Sequence, residues 1–224
     1  MAKRLLIIPA RKNSKRIKNK NIKLFKGRPI ISYSIEIAKK SGLFKKIHVS
    51  TDSKKIKNIA LSYGAEIDFM RPAHLSDDAT GLMKVYSYVV QEYRKIGQVY
   101  EEIWFLSTCS PLISSNDLVK ASHFFNLSKT NSMISICKFP QPIQRAFYLK
   151  NNIIFPVNKK LIKKNTQDIP ARYFHTGNFG AFKNAFFSKK KITIKRCGFE
   201  LPKDRSIDID NIDDWKMTLK LFKG

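Results

Sequence analysis

The sequence has few residues of the kinds that build disulfide-bonded, fibrous or disordered proteins. Its 224 residues include three cysteines, nine glycines and nine prolines. The cysteines, Cys109, Cys137 and Cys197, are odd in number and far apart, which fits neither a disulfide framework nor a zinc site, so we expect reduced thiols. Together with a hydrophobic content of 43%, the low glycine and proline content excludes collagen-like and disordered chains.

Long apolar segments are also missing. The longest apolar run near the start is Leu5 to Ala10. A secretory signal needs about 7–15 apolar residues and a membrane span about 20. We therefore expect a cytoplasmic protein with no membrane partner.

Acidic residues are scarce relative to basic ones. There are 17 Asp and Glu against 43 Lys and Arg, a formal net charge of +26, and the basic residues are concentrated in 1–57 and 119–196. This distribution of charge suits the binding of a polyanion, either a nucleic acid or the phosphates of a nucleotide. The alternative is that most lysines are solvated surface residues, which would give the same net charge. Because no helix-turn-helix, zinc or RNA-recognition signature accompanies the charge, we expect no nucleic-acid partner.

Apolar segments of strand length alternate with segments of helix length along most of the chain. The first, Arg4 to Pro9, is typical of a strand buried on both faces of a parallel sheet. The other predicted strands are 46–50, 67–70, 103–106, 133–137 and 206–209, and the predicted helices are 30–41, 53–63, 80–96, 116–127 and 211–222. This order predicts a single α/β domain, 1–224, with a mostly parallel, doubly wound (Rossmann-like) sheet that binds ligands beyond the carboxyl ends of its strands.

The alternation stops between residues 138 and 167. Asn151-Asn152 indicates a hairpin turn, and apolar residues such as Ile143, Phe147 and Ile153 have no obvious place in a doubly wound core. A contiguous apolar insertion of this kind usually marks an interface between subunits. We therefore predict that this segment is a small dimerisation excursion.

The loop after the first strand is strongly basic. Six Lys or Arg residues and no acid lie between Arg11 and Lys20. Fixed cations and loop amides at a strand-to-helix connection can neutralise a triphosphate together. A solvated basic loop is the alternative interpretation.

Near the end of the chain, Asp208 and Asp210 alternate with isoleucines, so on a strand both carboxylates would point to one face. Two carboxylates at a strand end can hold Mg²⁺ beside a substrate phosphate. The alternative is that Asp210 is only the N-cap of the last helix. Asp213 and Asp214 fit the first turn of that helix, where the helix dipole favours acids.

Several short motifs together are more specific than any one alone. They are Ile8-Pro9-Ala10-Arg11 with Ser14-Lys15 and Lys20-Asn21, Val49-Ser50-Thr51-Asp52, Arg71-Pro72 with Leu75-Ser76-Asp77-Asp78, Ser110-Pro111-Leu112, and Asp208-Ile209-Asp210 before Asp214-Trp215. With these motifs the chain resembles the cytidylyltransferases that make CMP-nonulosonic acids, that is, CMP-sialic acid and CMP-pseudaminic acid synthetases. The segment Cys137 to Ala146, with His175, is closer to the pseudaminic acid branch.

The resemblance implies a Mg²⁺-dependent homodimeric enzyme that transfers CMP from CTP to a nonulosonic acid and releases pyrophosphate. It implies that the catalytic residues are Arg11, Lys20, Asp208 and Asp210, with the two aspartates as Mg²⁺ ligands. The nucleotide-binding residues that it implies are Ala10, Arg11, Ser14, Lys15, Lys20, Asn21, Arg71 and Asp78. The sugar-binding residues are Ser107, Gln144, Arg145, His175 and Asn178.

The chain departs from the family pattern in three places. Lys12-Asn13 stand where the family usually has Gly-Gly, which predicts a different turn because Lys adopts a left-handed backbone poorly. Leu82 stands where a hydroxyl residue is common, and Ser107 where the sialic acid branch has a Gln that touches the sugar. These two changes leave the acceptor open, and the eight-carbon acid 3-deoxy-manno-octulosonate is the alternative.

Overall fold

A computed structural model describes residues 2–188 and 192–223. Its strands are β1 Arg4–Pro9, β2 Leu24–Phe25, β3 Arg28–Pro29, β4 Lys46–Ser50, β5 Glu102–Leu106, β6 Ser132–Lys138, β7 Phe147–Lys150, β8 Ile153–Pro156, β9 Tyr173–Lys183 and β10 Arg196–Glu200. Its α-helices are α1 Ile30–Ser41, α2 Lys54–Ser62, α3 Leu82–Lys95, α4 Ser115–Leu127 and α5 Ile212–Leu221.

The central sheet has six strands in the order β10-β6-β9-β5-β1-β4. Strand β1 runs parallel to β4 and β5, and β10 runs parallel to β6. Strand β9 is antiparallel to both of its neighbours, β5 and β6. The predicted α/β class with a mostly parallel sheet is therefore confirmed.

Two predicted strands are wrong. Residues 67–70 form no ladder, and only the preceding Glu66 makes a single bridge, to His48. Residues 206–209 form none either, because the Ile207 carbonyl accepts a hydrogen bond from a side chain, that of Asn178, rather than from a neighbouring strand. The sequence patterns predict neither β9 nor β10, and these strands complete the sheet instead.

The helix limits agree with the prediction to within about two residues, because local capping residues set them. Gly42 ends α1 with a left-handed φ of 64°. At α5, Asn211 is the N-cap and its side chain accepts from the backbone of Asp213 and Asp214. Asp210 is therefore not the cap. None of the helices in residues 2–188 and 192–223 is long and apolar enough to cross a membrane.

Side chains of β1 alternate between two buried layers. Leu6 and Ile8 pack with α1, α2 and α4, whereas Leu5 and Ile7 pack with α3 on the other face. Helices thus cover both faces, as a doubly wound sheet requires. A third cluster, formed by Ile17, Phe25, Ile30, Cys109, Ile209 and Trp215, joins α5 to the loop after β1. The loop after β1 and the last helix therefore meet at the carboxyl end of β1.

Apart from Lys138, the last residue of β6, the segment 138–167 lies outside this layered core. Among the residues that the structure describes, strands β7 and β8 pair only with each other, through the turn predicted at Asn151 and Asn152, whose φ angles are 50° and 61°. Positive φ at both central residues is the geometry of a type I′ hairpin turn. The predicted hairpin is confirmed.

Candidate active site

A cleft of about 1010 Å³ opens where β1 and β5 end. The loop after β1 forms one wall, and residues from 71 to 86 form another. Residues 107–109, β9 and the segment before α5 complete it. This is the edge at which the sequence predicts ligand binding, because the carboxyl ends of β1 and β5 meet there.

Backbone hydrogen bonds fix the basic loop at its base. The Ala10 amide donates to the Ser50 carbonyl at 2.9 Å, and the Lys12 amide donates to Asp52 Oδ1 at 2.7 Å. The Asn21 side chain closes the loop by donating to the Arg11 carbonyl at 2.9 Å. Neither Lys12 nor the residue after it has a positive φ, so the loop does not need glycine there.

The cations of this loop are paired with carboxylates across the cleft. Arg11 and Lys15 each lie 2.5 Å from an oxygen of Asp78. On the other side, Arg16 lies 2.8 Å from Asp210, and Lys20 lies 3.6 Å from it. A triphosphate entering this cleft could replace these carboxylates as the partner of the cations, since both are multivalent oxygen acceptors.

Lys20 also holds the segment that carries the aspartates. Its Nζ donates to the Ile209 carbonyl at 2.5 Å, and its side chain is 20% exposed. The loop after β1 and the residues before α5 are thus connected by a direct contact, in addition to the apolar cluster beneath them.

Asp208 and Asp210 both line the cleft. Burial raises the pKa of Asp208, and the neighbouring charge of Asp210 raises it further. The Asp208 carboxylate packs against Gly177, where an added Cβ would lie 2.8 Å from Oδ2, and the φ of +71° at Gly177 independently favours glycine. Glycine at this position therefore makes room for the carboxylate.

This pair of carboxylates fits a hard divalent cation. Mg²⁺ binds oxygen ligands and commonly uses only one or two protein carboxylates beside substrate phosphates and water. A cation would also relieve the repulsion that raises the pKa of Asp208. Residues 2–188 and 192–223 contain no group of three or more His, Cys, Asp or Glu suited to a metal.

Arg71 is a buried cation in the wall of the cleft. Its side chain is 5% exposed and donates to the Ser50 carbonyl at 2.5 Å and to the Ser50 hydroxyl at 3.1 Å. Burial lowers the pKa of Arg71 to about 10, which leaves it charged at neutral pH. These contacts fix the guanidinium in place before a ligand binds.

The structure brings most of the predicted site residues to one cleft. Its lining includes Arg11, Ser14, Lys15, Lys20, Asn21, Arg71, Asp78, Ser107, His175, Asp208 and Asp210. Ala10 is buried beneath the loop, and its amide faces β4. Asn178 is buried behind the cleft wall rather than lining it.

The other two predicted sugar-binding residues lie away from the cleft of their own chain. Gln144 donates to the Pro170 carbonyl at 3.0 Å, and Arg145 donates to the Thr166 hydroxyl at 2.9 Å. Both are in the excursion, and neither lines the cleft.

Several cleft residues were not among the predicted site residues. Arg16 belongs to the basic loop, so the same charge count could have included it. Gly177 and Arg196 have no local sequence signal because the patterns do not predict their strands. Cys109 also lines the cleft, but burial raises the pKa of its thiol to about 12, so it is not a nucleophile at neutral pH.

A mostly parallel α/β sheet, with a cationic loop after its first strand and a carboxylate pair at the same edge, defines an enzyme of the nucleotide-binding α/β class. Residues 5–222 match the model of the family described as cytidylyltransferase, and the chain belongs to this family.

Individual relatives agree with this assignment. The chain is 35% identical over 224 residues to a pseudaminic acid cytidylyltransferase from Campylobacter jejuni, covering 99% of this chain and 97% of that protein. It is 27% identical to an N-acylneuraminate cytidylyltransferase from Escherichia coli, covering 97% of this chain and 51% of that protein. The resemblance to CMP-nonulosonic acid synthetases is thus confirmed.

A solved structure supports the fold. The structure of a CMP:2-keto-3-deoxy-manno-octonic acid synthetase complexed with CTP matches with a TM-score of 0.68 at 15% identity, covering 98% of each chain. At this identity the match shows a shared fold.

Proposed function

We propose that the chain transfers CMP from CTP to a nonulosonic acid of the pseudaminic type and releases pyrophosphate. The observation that carries the proposal is the meeting of the basic loop and the Asp208–Asp210 pair in one cleft. The 35% identity to a pseudaminic acid cytidylyltransferase over nearly the full length supports the acceptor class. The eight-carbon acid has weaker support, since the structure named for that substrate is 15% identical.

In this proposal the nucleotide lies between the basic loop and the wall that contains Arg71. Arg11, Lys15 and Lys20 bind phosphate oxygens in place of their present carboxylate partners. Asn21 and Arg71, both held by hydrogen bonds to the backbone, contact the cytidine. Their fixed positions reduce the entropy that binding would otherwise cost.

The reaction is an in-line displacement at the α-phosphorus of CTP. The hydroxyl on C2 of the acid attacks the phosphorus, the bond to the bridging oxygen of the β-phosphate breaks, and pyrophosphate leaves with that electron pair. The cations of the basic loop stabilise the charge that develops on the leaving group. The proton of the attacking hydroxyl passes to a carboxylate of the Asp208–Asp210 pair or to water.

We propose Mg²⁺ as the cofactor, held by Asp208 and Asp210. When bound, it supplies positive charge to the phosphoryl oxygens during transfer.

We also propose that the enzyme is a homodimer assembled through the hairpin of β7 and β8. All four residues of β7 are exposed, and Leu149 is 67% and Ile154 60% exposed. An isolated two-stranded hairpin is marginally stable at best in water, so a second copy that covers these residues would stabilise it. Gln144 and Arg145, which lie beside this hairpin, would then contact the acceptor in the partner's cleft.

The catalytic proposal is tested by a pyrophosphate-release assay with CTP, Mg²⁺ and a panel of nonulosonic acids. We expect the highest kcat/KM with pseudaminic acid, a lower value with sialic acid, and no activity without a divalent cation. Release that is faster with 3-deoxy-manno-octulosonate than with any nonulosonic acid would refute the acceptor assignment.

The assembly proposal is tested by light scattering at micromolar concentration. We expect a dimer for the full chain, and a monomer that binds CTP but transfers no CMP after deletion of residues 141–158. A full-length chain that is monomeric and fully active would contradict both expectations.

A further inference from the structure

Asn178 lies in an irregular part of β9. The ladder between β6 and β9 is interrupted where Ser135 stands opposite residues 176–179. The Thr176 hydroxyl donates to Ser135 Oγ at 2.7 Å, which holds the interruption in place. Bulges of this kind next to active sites redirect side chains. Here the bulge turns Asn178 toward the chain segment before α5.

The Asn178 side chain connects three parts of the site without lining the cleft. It is 2% exposed, and its Nδ2 donates to the Ile207 carbonyl and to the Ser110 hydroxyl, each at 3.2 Å. The backbone carbonyl of Asn178 accepts from the Ser107 amide at 2.7 Å. One residue thus joins β9, the loop after β5 and the residue that precedes Asp208.

The position of Asp208 depends on these contacts because its carboxylate has few of its own. In the part of the chain that the structure describes, no group donates a hydrogen bond to it. It packs against Gly177, the residue before Asn178, at a distance that leaves no room for a Cβ. Its orientation is therefore set by the bulge and by the backbone on both sides of it, where Asn178 holds the Ile207 carbonyl and Lys20 holds the Ile209 carbonyl.

We propose that Asn178 is a positioning residue that holds the Ile207 carbonyl and thereby sets the Asp208 carboxylate, and that it is not a sugar ligand. The inference rests on the proposed function, in which Asp208 acts beside the α-phosphate. Groups that orient a metal-binding residue commonly affect metal affinity or activity by about 10- to 100-fold when they are removed.

The test compares Asn178→Ala and Asn178→Asp with the control Asn184→Ala. Asn184 follows β9 at its opposite end, where its side chain accepts a hydrogen bond from Arg94 far from the carboxylate pair. Steady-state kinetics give kcat and both KM values. Mn²⁺ binding, followed by electron paramagnetic resonance with a non-hydrolysable CTP analogue, gives a readout that does not depend on turnover.

We expect Asn178→Ala to lower kcat and Mn²⁺ affinity by about 10- to 100-fold while both KM values change by less than about threefold. Asn178→Asp has nearly the same shape but cannot donate to the Ile207 carbonyl, so we expect no recovery. Recovery in Asn178→Asp would show that volume matters rather than the hydrogen bond, and would overturn the proposal. We expect Asn184→Ala to lower the thermal midpoint and leave kcat unchanged.

A rise in the KM of the nonulosonic acid alone would identify Asn178 as a sugar ligand and refute the inference. Equal effects of Asn178→Ala and Asn184→Ala on every readout would refute it as well. If the proposed function itself is wrong, the wild-type chain releases no pyrophosphate with any acid, and a lower Mn²⁺ affinity in Asn178→Ala would still support the positioning role.

Discussion

Replacing Lys20 by Met tests the basic loop most directly. The substitution keeps the aliphatic stem and removes the charge, together with the contact to the Ile209 carbonyl at 2.5 Å and the ion pair with Asp210 at 3.6 Å. The side chain is 20% exposed, so solvent screens this charge less than it screens the outer lysines. A hydrogen bond between a charged group and a phosphate in such a position is worth about 2–4 kcal/mol in the transition state. We therefore expect kcat/KM for CTP to fall by about 30- to 1000-fold.

The assay is pyrophosphate release at CTP concentrations well below KM, where the rate reports kcat/KM directly. Lys54→Met is the matched control, because Lys54 is exposed at the start of α2 and does not line the cleft. We expect the control to change kcat/KM by less than about twofold. A loss below about threefold for Lys20→Met, or an equal loss for Lys54→Met, would mean that the loop is only a solvated basic surface.

Three further substitutions test other parts of the structure. Asp210→Asn keeps the size of the side chain but removes a charged ligand, so turnover should fall at least about 100-fold. Near-normal turnover at saturating Mg²⁺ would exclude Asp210 as a metal ligand. Asp78→Asn frees the two cations that Asp78 now pairs with, so calorimetry should show CTP binding about two- to fivefold tighter, whereas weaker binding would indicate a direct contact between Asp78 and the nucleotide. Glu102→Gln leaves the buried Arg4 guanidinium without a counter-charge and should cost about 3–5 kcal/mol of unfolding free energy by urea titration, with Glu101→Gln as the exposed control. Burial alone would raise the pKa of Glu102, but hydrogen bonds from Lys183, Arg4 and Trp104 lower this pKa overall. The stability that the Glu102 carboxylate contributes should therefore be present above its ordinary pKa and be lost as the pH falls through the lowered pKa.

The elements with strong local signals could be predicted from the sequence. Strand β1 is continuously apolar because both of its faces are covered, and α1 ends at a glycine with a left-handed φ. The basic loop and the Asp208–Asp210 pair could be found in the same way, because the residue types themselves carry the chemistry. Each of these signals spans at most about twenty consecutive residues and does not depend on tertiary contacts.

The elements that depend on long-range pairing could not be predicted. Strand β9 contains Gly177, Asn178 and Gly180 and has no regular alternation, since it lies in the middle of the sheet and bulges beside the cleft. Residues 206–209 alternate like a strand, yet the carbonyls of Ile207 and Ile209 accept hydrogen bonds from the side chains of Asn178 and Lys20. An alternating pattern shows which residues are buried, but it does not show what pairs with the backbone between them.

The antiparallel direction of β9 links the excursion to the cleft. A parallel strand at this position would present its carboxyl end at the cleft and would need a crossover helix before it. Because β9 runs the other way, the chain leaves the excursion and enters the sheet at the cleft edge, where Phe179 pairs with Leu106 and the Ser107 amide donates to the Asn178 carbonyl. Only the nine residues 168–176 therefore separate the end of the excursion from Gly177, the glycine that packs against Asp208. In the proposed dimer, a second subunit that covers the excursion would also hold the chain that leads into β9, because the Gln144 side chain donates to the Pro170 carbonyl there, so assembly and the placement of the carboxylate should depend on the same strand.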